Sequence, residues 1–407
     1  MKILLSAYAC EPHKGSEPAV GWNWMLALVR QGLEVSVITR ENNREVIEAQ
    51  IAAKSLRVKP IYYDLPSWCR RWKRWHGGLF FYYLLWQIGA YRHARKIHRE
   101  RSFDVVHHIT FVTFRQPSFM GGLGIPFILG PVGGGETSPR HLRAGLSPSG
   151  RLEEKVRDIV IAIARVDPLM NRTFSKAALI ACTTSETLQR IPHRFHHKCI
   201  ILPAIGIDPP QELRAPSSPT ASPSFLFIGR LLYWKGLHLV LRAMPEVLRQ
   251  IPNARLKIVG HGKDARWLRQ VAEECGVSAH VDWVPHLPHH EISTAYQGHA
   301  AFVFPSLHDS GAMVVLESLS AQLPVICLAL GGPGIFVDSS CGVAIDASSQ
   351  SEQSVQHSIA AAMIRLAQEP SLRDSLVANC AARARHFSWD NAAQQLYSAF
   401  ETAKCRS

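Results

Sequence analysis

The sequence predicts an α/β protein of two doubly wound parallel-sheet domains with a C-terminal helical extension. Three observations carry this: a strand–helix–strand alternation from the N-terminus, a proline-rich break near the middle, and a restart of the alternation beyond it. A chain of 407 residues is long enough for two domains. With 47% hydrophobic and 19% charged residues, its composition excludes long disorder, a collagen-like chain or a coiled coil. No tandem repeat of solenoid or propeller type is visible.

Residues 2–8 form a short apolar run, and 18–31 carry apolar residues at helical spacing. Gly32 stops that helix and 33–39 is rich in β-formers, which completes a unit of βαβ size. Apolar runs at 57–63, 103–107, 125–129, 178–182 and 198–202 continue the pattern, with helices predicted over 78–101 and 153–176. Runs that are apolar on both faces imply a parallel sheet covered on each side. Residues 209–223 hold five prolines in fifteen positions and read as linker. Strands then recur at 224–228, 255–259, 279–284, 300–304 and 324–328, with helices near 235–250, 263–275 and 313–322. The expected domains are 1–205, a linker at 206–223, 224–385, and a helix at 386–407 that returns to the first domain. Two such domains in tandem predict a ligand cleft between the carboxyl ends of their sheets.

Charge is uneven. Residues 1–200 hold 29 Lys/Arg against 15 Asp/Glu, a balance of +14, whereas the remainder holds 16 against 17, a balance of −1. A polyanionic or membrane-surface partner is therefore expected for the first half alone. The nine cysteines show no CxxC pair and no metal-ligand spacing, which fits a reducing compartment. The opening Met1-Lys2-Ile3-Leu4-Leu5 reads as a first strand rather than a signal peptide.

The loops after the strands are where chemistry is expected. Gly15, in the turn before the first helix, either approaches a phosphate at the helix N-terminus or is an ordinary βα turn. Gly133, Gly134 and Gly135, followed by Glu136, form either a backbone surface for a ligand or a flexible lid. His107 and His108 end a cleft strand, where an imidazole can donate to a substrate oxygen or move a proton. In the second domain, Arg230 and Lys235 flank a strand-to-helix turn and suit a diphosphate, the guanidinium clamping two oxygens while the ammonium adds a point charge. Asp309 and Glu317 bracket a helix start, placed for hydrogen bonds to sugar hydroxyls, although Glu317 equally suits a simple charge–dipole role. The amides of Gly311, Ala312 and Met313 lie at the same helix N-terminus.

Taken in order, the glycine loop at 15, GPVGGGE at 130–136, GR…KG at 229–236, the PS…D-x7-E…PV run at 305–325 and Gly331-Gly332-Pro333-Gly334 resemble the retaining nucleotide-sugar glycosyltransferases of the GT-B fold, family 4. The likeness is strongest to bacterial members that build exopolysaccharide, capsule or envelope glycans. It implies two Rossmann-like domains facing each other across a cleft. It also implies transfer of a sugar, with retention, from a nucleotide-diphosphate donor to a glycan or polyisoprenoid-linked acceptor. Arg230 and Lys235 would hold the donor diphosphate and Glu317 the ribose. Asp309 stands where the family usually has Glu, one methylene longer, contacting the donor sugar. The family's H-x-H appears here as His107-His108-Ile109. No DxD pair offers a metal site in the expected cleft, so the two cations would substitute for a divalent ion, with no cofactor required and domain closure excluding water.

Residues 68–101 carry nine Lys/Arg, one acidic residue and nine interleaved aromatics. The apolar part, 77–91, is shorter than the ~20 residues that span a bilayer, so the stretch is expected to lie on an anionic membrane surface. The corresponding location is cytoplasmic, peripheral on the inner face of the inner membrane. Two rivals keep some of these features: a GT-B-type nucleotide-sugar epimerase, and a basic non-enzymatic nucleic-acid- or membrane-binding protein. Nucleic-acid binding is disfavoured because no common motif for it appears and the second domain lacks the positive charge.

Overall fold

The computed structural model describes residues 1–74, 78–208 and 223–404. Most of the predicted linker, and Trp75 within the aromatic stretch, lie outside the described residues. The chain divides into two units: Met1–Gly135 with Val160–Ile205 and Trp389–Ser407, and Glu136–Ile159 with Gly206–Ser388. Residues 136–159, expected in the first domain, therefore cluster with the second, and the C-terminal helix clusters with the first.

The first unit opens with β1 (Lys2–Ser6), α1 (Ser16–Arg30), β2 (Glu34–Thr39), α2 (Arg44–Ala53), β3 (Val58–Tyr62) and α3 (Gly78–Arg101). It continues with β4 (Val105–His108) and β5 (Phe127–Val132); α4 (Pro148–Val166) then leads to α5 (Pro168–Lys176), β6 (Leu179–Cys182), α6 (Ser185–Arg190) and β7 (Cys199–Ile201). Its seven strands are ordered β3-β2-β1-β4-β5-β6-β7, all parallel, with Ser6 opposite His108. Residues of β4, β5 and β6 are buried throughout, as expected of a sheet covered on both faces.

The second unit contains β8 (Ser224–Ile228), α7 (Leu237–Gln250), β9 (Arg255–Val259), α8 (Ala265–Glu274), β10 (Val281–Val284) and α9 (His289–Ala295). After these come β11 (Ala301–Phe304), α10 (Met313–Ser320), β12 (Val325–Leu328), α11 (Gly331–Phe336), β13 (Gly342–Ile345), α12 (Glu352–Gln368) and α13 (Pro370–His386). Its six parallel strands run β10-β9-β8-β11-β12-β13. The last helix, α14 (Trp389–Lys404), docks on α1 of the first unit: Arg30 Nε donates to Asp390 Oδ1 at 2.8 Å and Gln31 Nε2 to the Asp390 carbonyl at 2.9 Å.

Two sequence expectations change. The helix expected over 153–176 is two helices, because Asp167 and Pro168 start a new one. The Asp167 carboxylate accepts from the Leu169 and Met170 amides, and Pro168 occupies the first helical position, where a missing N–H costs nothing. The stretch 68–101 is not an interfacial helix throughout. Tyr82, Tyr83 and Trp86 of α3 are buried in the core, with the Tyr8 ring edge-on to Tyr83 and Trp86 at 4.9 and 5.0 Å. Aromatic rings bury too much apolar area to be left in water when a sheet face is within reach. Trp68, Leu79, Phe80 and Phe81 remain exposed. Among the described residues no helix is long and apolar enough to cross a membrane.

Candidate functional site

Both sheets reverse their winding at one point, between β1 and β4 in the first unit and between β8 and β11 in the second. Loops leaving the carboxyl ends at such a switch diverge and leave room for a ligand. In the second unit those loops are 229–236 and 305–312, which carry Arg230, Lys235 and Asp309.

The loop after β8 closes as a single tight turn over Tyr233–Lys235 and ends at Gly236 with φ 74°. A Cβ on Gly236 would collide with the Pro305 carbonyl, so glycine lets the two loops touch. They are laced by the Trp234 carbonyl, which accepts from the Leu307 amide at 2.7 Å and from Ser306 Oγ at 3.1 Å. Lys235 lies 5.2 Å above the centre of the Phe304 ring and pairs with the Asp309 carboxylate. Arg230 is exposed and has no acidic partner among the described residues. The turn therefore carries an exposed arginine without an acidic partner among the described residues and a lysine whose ammonium is already anchored by a carboxylate.

Asp309 is held from behind as well. The Gly332 amide donates to the Asp309 carbonyl at 2.6 Å, and a side chain on Gly331, at φ 55°, would strike that carbonyl. Ala312 adopts a left-handed conformation, φ 61° and ψ 58°, immediately before α10. This turns the 311–313 segment into the helix start. Glu317 is half-buried and accepts from the Tyr296 hydroxyl at 2.9 Å. Burial and the neighbouring Glu317 carboxylate push the Tyr296 phenol well above its ordinary range.

Behind these loops sits a buried polar network that sequence reasoning missed. Glu154, on α4, is fully buried. Its carboxylate accepts from the Tyr233 hydroxyl at 3.1 Å and the Ser138 amide at 3.1 Å, and lies 2.8 Å from His308 Nε2 and 3.3 Å from Arg143. Arg143 also clamps Asp158 with two bonds of 2.6 and 3.0 Å. His308 stacks on Trp234 with centroids 5.4 Å apart. Burial raises the Glu154 carboxyl, but the contacts with His308, Arg143 and Tyr233 outweigh it and leave its pKa below the ordinary range. Burial holds the His308 imidazole below its ordinary range, against the pull of Glu154. Nothing in the local pattern around Glu154 distinguishes it from a solvated helix acid; only the fold brings it to the loops.

The first-unit candidates are placed differently. Gly15 is exposed at φ −89°, a conformation open to any residue, with open space where a Cβ would stand. The left-handed residues of that turn are His13 and Ser16, at φ 59° and 58°. In the glycine loop, Gly134 does need its freedom, at φ 89°. Gly135 is required by packing: its Cβ would stand 2.5 Å from Thr187 Cα, its amide donates to Thr187 Oγ1 at 3.1 Å and its carbonyl accepts from Arg190 at 3.1 Å. Gly133 is tied to the Val112–Phe114 backbone, and Glu136 is buried.

His107 and His108 are fully engaged inside the first unit. His107 bonds the Gly130 carbonyl at 2.7 Å and the Tyr397 hydroxyl at 3.2 Å. His108 bonds the Tyr83 hydroxyl at 2.8 Å and Ser118 Oγ at 2.7 Å. With both nitrogens of each ring satisfied, these histidines brace the strand end, and the direct role in proton transfer expected for them has no free nitrogen behind it. Burial lowers His107 from 6.5 to about 4 and His108 from 6.5 to about 3. The unfolded chain protonates both first, so stability falls as pH drops from 6.5 towards 4. Each pH unit in that window costs about 1.4 kcal/mol per histidine. The denaturant midpoint should decline steadily there; a flat profile would contradict the buried, neutral placement.

Among the described residues no three His, Cys, Asp or Glu side chains are placed together to hold a metal ion.

Residues 210–383 match the family Glycosyl transferases group 1. The glycogen synthase of Mycobacterium tuberculosis (strain CDC 1551 / Oshkosh) is 33% identical over 130 residues, covering 32% of this chain and 31% of the relative. A D-inositol 3-phosphate glycosyltransferase of Acidothermus cellulolyticus is 31% identical over 188 residues, covering 44% and 40%. The chain thus spans well under half the length of these relatives. Among solved structures, the sucrose-phosphate synthase of Thermosynechococcus elongatus superposes with a TM-score of 0.63 at 17% identity, covering 100% of both chains. Anabaena Alr3699/HepE, solved with UDP and glucose, gives 0.59 at 13% identity, covering 99% and 100%. These two likenesses speak for the fold. The chain has the GT-B architecture of two Rossmann-like domains, and the part that carries Arg230, Lys235, Asp309 and Glu317 matches Glycosyl transferases group 1.

Proposed function

We propose that this protein is a retaining glycosyltransferase of family 4 that moves a sugar from a nucleoside-diphosphate donor to a glycan or polyisoprenoid-linked acceptor, in exopolysaccharide, capsule or envelope synthesis. One observation carries the reading: Arg230, a guanidinium without an acidic partner among the described residues, and an anchored ammonium, Lys235, share the turn at the switch point of the second sheet. Bond cleavage at the anomeric carbon leaves negative charge on the diphosphate; Lys235, fixed beforehand by Asp309, stabilises it without reorganising, and Arg230 adds a second cation. The reaction then needs no metal ion or other cofactor. Glu317 hydrogen-bonds the ribose and Asp309 the donor sugar, the latter while holding Lys235. The 311–313 amides meet the phosphates, and the first unit binds the acceptor. The protein works in the cytoplasm, and the exposed Trp68, Phe80 and Phe81 with their neighbouring arginines attach it to an anionic membrane.

A thermal-shift panel of nucleoside diphosphates and nucleotide sugars tests the donor. A ligand at 100 times its Kd adds about 2.7 kcal/mol to the folded state, enough for a clear rise in Tm. If no nucleotide or nucleotide sugar raises Tm at millimolar concentration, the reading is wrong.

A further inference from the structure

Helix α4 turns an apolar face outward. Leu152, Val156, Ile159, Val160, Ile163 and Val166, and then Leu169 on α5, are each between 40% and 76% exposed. Positions 152, 156, 159, 163 and 166 alternate steps of four and three, which keeps them on one stripe of the helix. Large apolar residues on a free surface are normally scattered singly, so a continuous stripe calls for something to cover it.

The charges beside the stripe say what. Arg151, Lys155 and Arg165 are exposed on α4, as are Arg172 and Lys176 on α5. None of the five has an acidic partner among the described residues. The acidic residues of the same helix are committed elsewhere: Glu153 to Lys263, Asp158 to Arg143, and Glu154 to its buried network. Leu169 also lines a cavity of about 210 Å³ with Arg172, Lys176, Thr173 and Ser118, and with Tyr91 from α3. The apolar stripe therefore runs into a cation-lined hollow at one end.

We infer that this face of α4 and α5 lies on an anionic phospholipid surface, its Leu, Ile and Val side chains entering the acyl boundary while the five cations meet headgroup phosphates. The four-three spacing also suits a helix of a second copy. Pairing two copies of this face, however, would set its unpaired cations against each other in either orientation, whereas anionic lipid complements them. The inference does not depend on the glycosyltransferase reading, and it locates an apolar contact separate from the exposed Trp68, Leu79, Phe80 and Phe81.

Co-sedimentation of the full chain with vesicles tests it. The protein should pellet with phosphatidylglycerol-containing vesicles at low salt and remain in the supernatant with pure phosphatidylcholine. The pairs Ile163→Glu with Val166→Glu, and Arg165→Glu with Arg172→Glu, should each weaken partition roughly tenfold or more, while melting temperature and stabilisation by nucleotide sugars stay unchanged. Phe80→Glu with Phe81→Glu measures the separate contribution of the aromatic stretch. The inference is overturned if the wild type ignores anionic vesicles, or if both α4–α5 variants pellet like the wild type. It is equally overturned if light scattering shows a dimer that Ile163→Glu with Val166→Glu dissociates.

Discussion

Replacing Arg230 by alanine should lower kcat/KM for the donor about 10²–10³-fold, the loss typical when one preorganised stabiliser of developing charge is removed. The melting temperature should not move, because Arg230 is exposed and supports no carboxylate among the described residues. Lys235→Ala should cost a similar factor and also lower Tm. Its ammonium holds Asp309, and truncation leaves a largely buried carboxylate without its cation. The two substitutions together should cost less than the product of the single effects, since both act on one diphosphate. Steady-state kinetics beside thermal melts separates these outcomes. Unchanged turnover in Arg230→Ala would remove the observation on which the proposed function rests.

That contrast shows which features can be read from a sequence. The strands 224–228 and 255–259 were legible to the residue because continuous apolar runs of that length between turn signals have few other uses in a globular domain. Helix α3 was legible at 78–101 as the stretch between the strand runs at 57–63 and 103–107. What its aromatic residues do was not. The spacing of Tyr82, Tyr83 and Trp86 against Phe80 and Phe81 is compatible with either burial or a membrane, and only the sheet beneath decides. β13 escaped notice because four residues, two of them only half-buried, leave too short a run to register. The break at Asp167-Pro168 could have been read, since an Asx residue followed by Pro starts helices more often than it continues them.

The candidate site divides along the same line. Arg230, Lys235 and Asp309 stand in loops whose composition announces a turn at a strand end, so sequence alone singled them out, but not the pairing of Lys235 with Asp309 across the two loops. The histidines followed the same logic and met a different end, because a strand-end position says nothing about whether the ring faces solvent or the sheet. For Gly135, sequence could offer a reason to be glycine but not the right one: it is the approach of the Thr187 backbone. The supporting acid was invisible, since Glu154 meets Tyr233 and His308 across separations that no local pattern encodes.

Glu154→Ala is therefore the second large effect, and it falls on stability first. Removing one member of a buried, hydrogen-bonded charge cluster costs about 3–5 kcal/mol, because the partners left behind stay buried. Here those partners are Arg143, the Tyr233 hydroxyl, the Ser138 amide and His308. Glu154→Gln should cost less, since an amide oxygen still accepts from Tyr233 or Ser138 while the charge opposite Arg143 is lost. The pH dependence separates this network from the two first-unit histidines. The Glu154 carboxyl sits below its ordinary value of 4.5 in the fold, so its contribution is present above 4.5 and disappears only as pH falls through the lower folded value. The stability gap between wild type and Glu154→Gln should accordingly not narrow from pH 7 to about 5, because His308 loses the pull of Glu154 in the variant and resists protonation at least as strongly there, even while both proteins weaken as His107 and His108 resist protonation. Denaturant titrations across that range measure the gap directly, and a gap that closes within it would mean that Glu154 is not held as the carboxylate the geometry describes. Because Tyr233, Trp234 and His308 border Lys235 and Asp309 in the chain, the Gln variant should also raise KM for the donor more than it lowers kcat. That split is the mark of a residue that positions the binding loops rather than touching the reacting atoms.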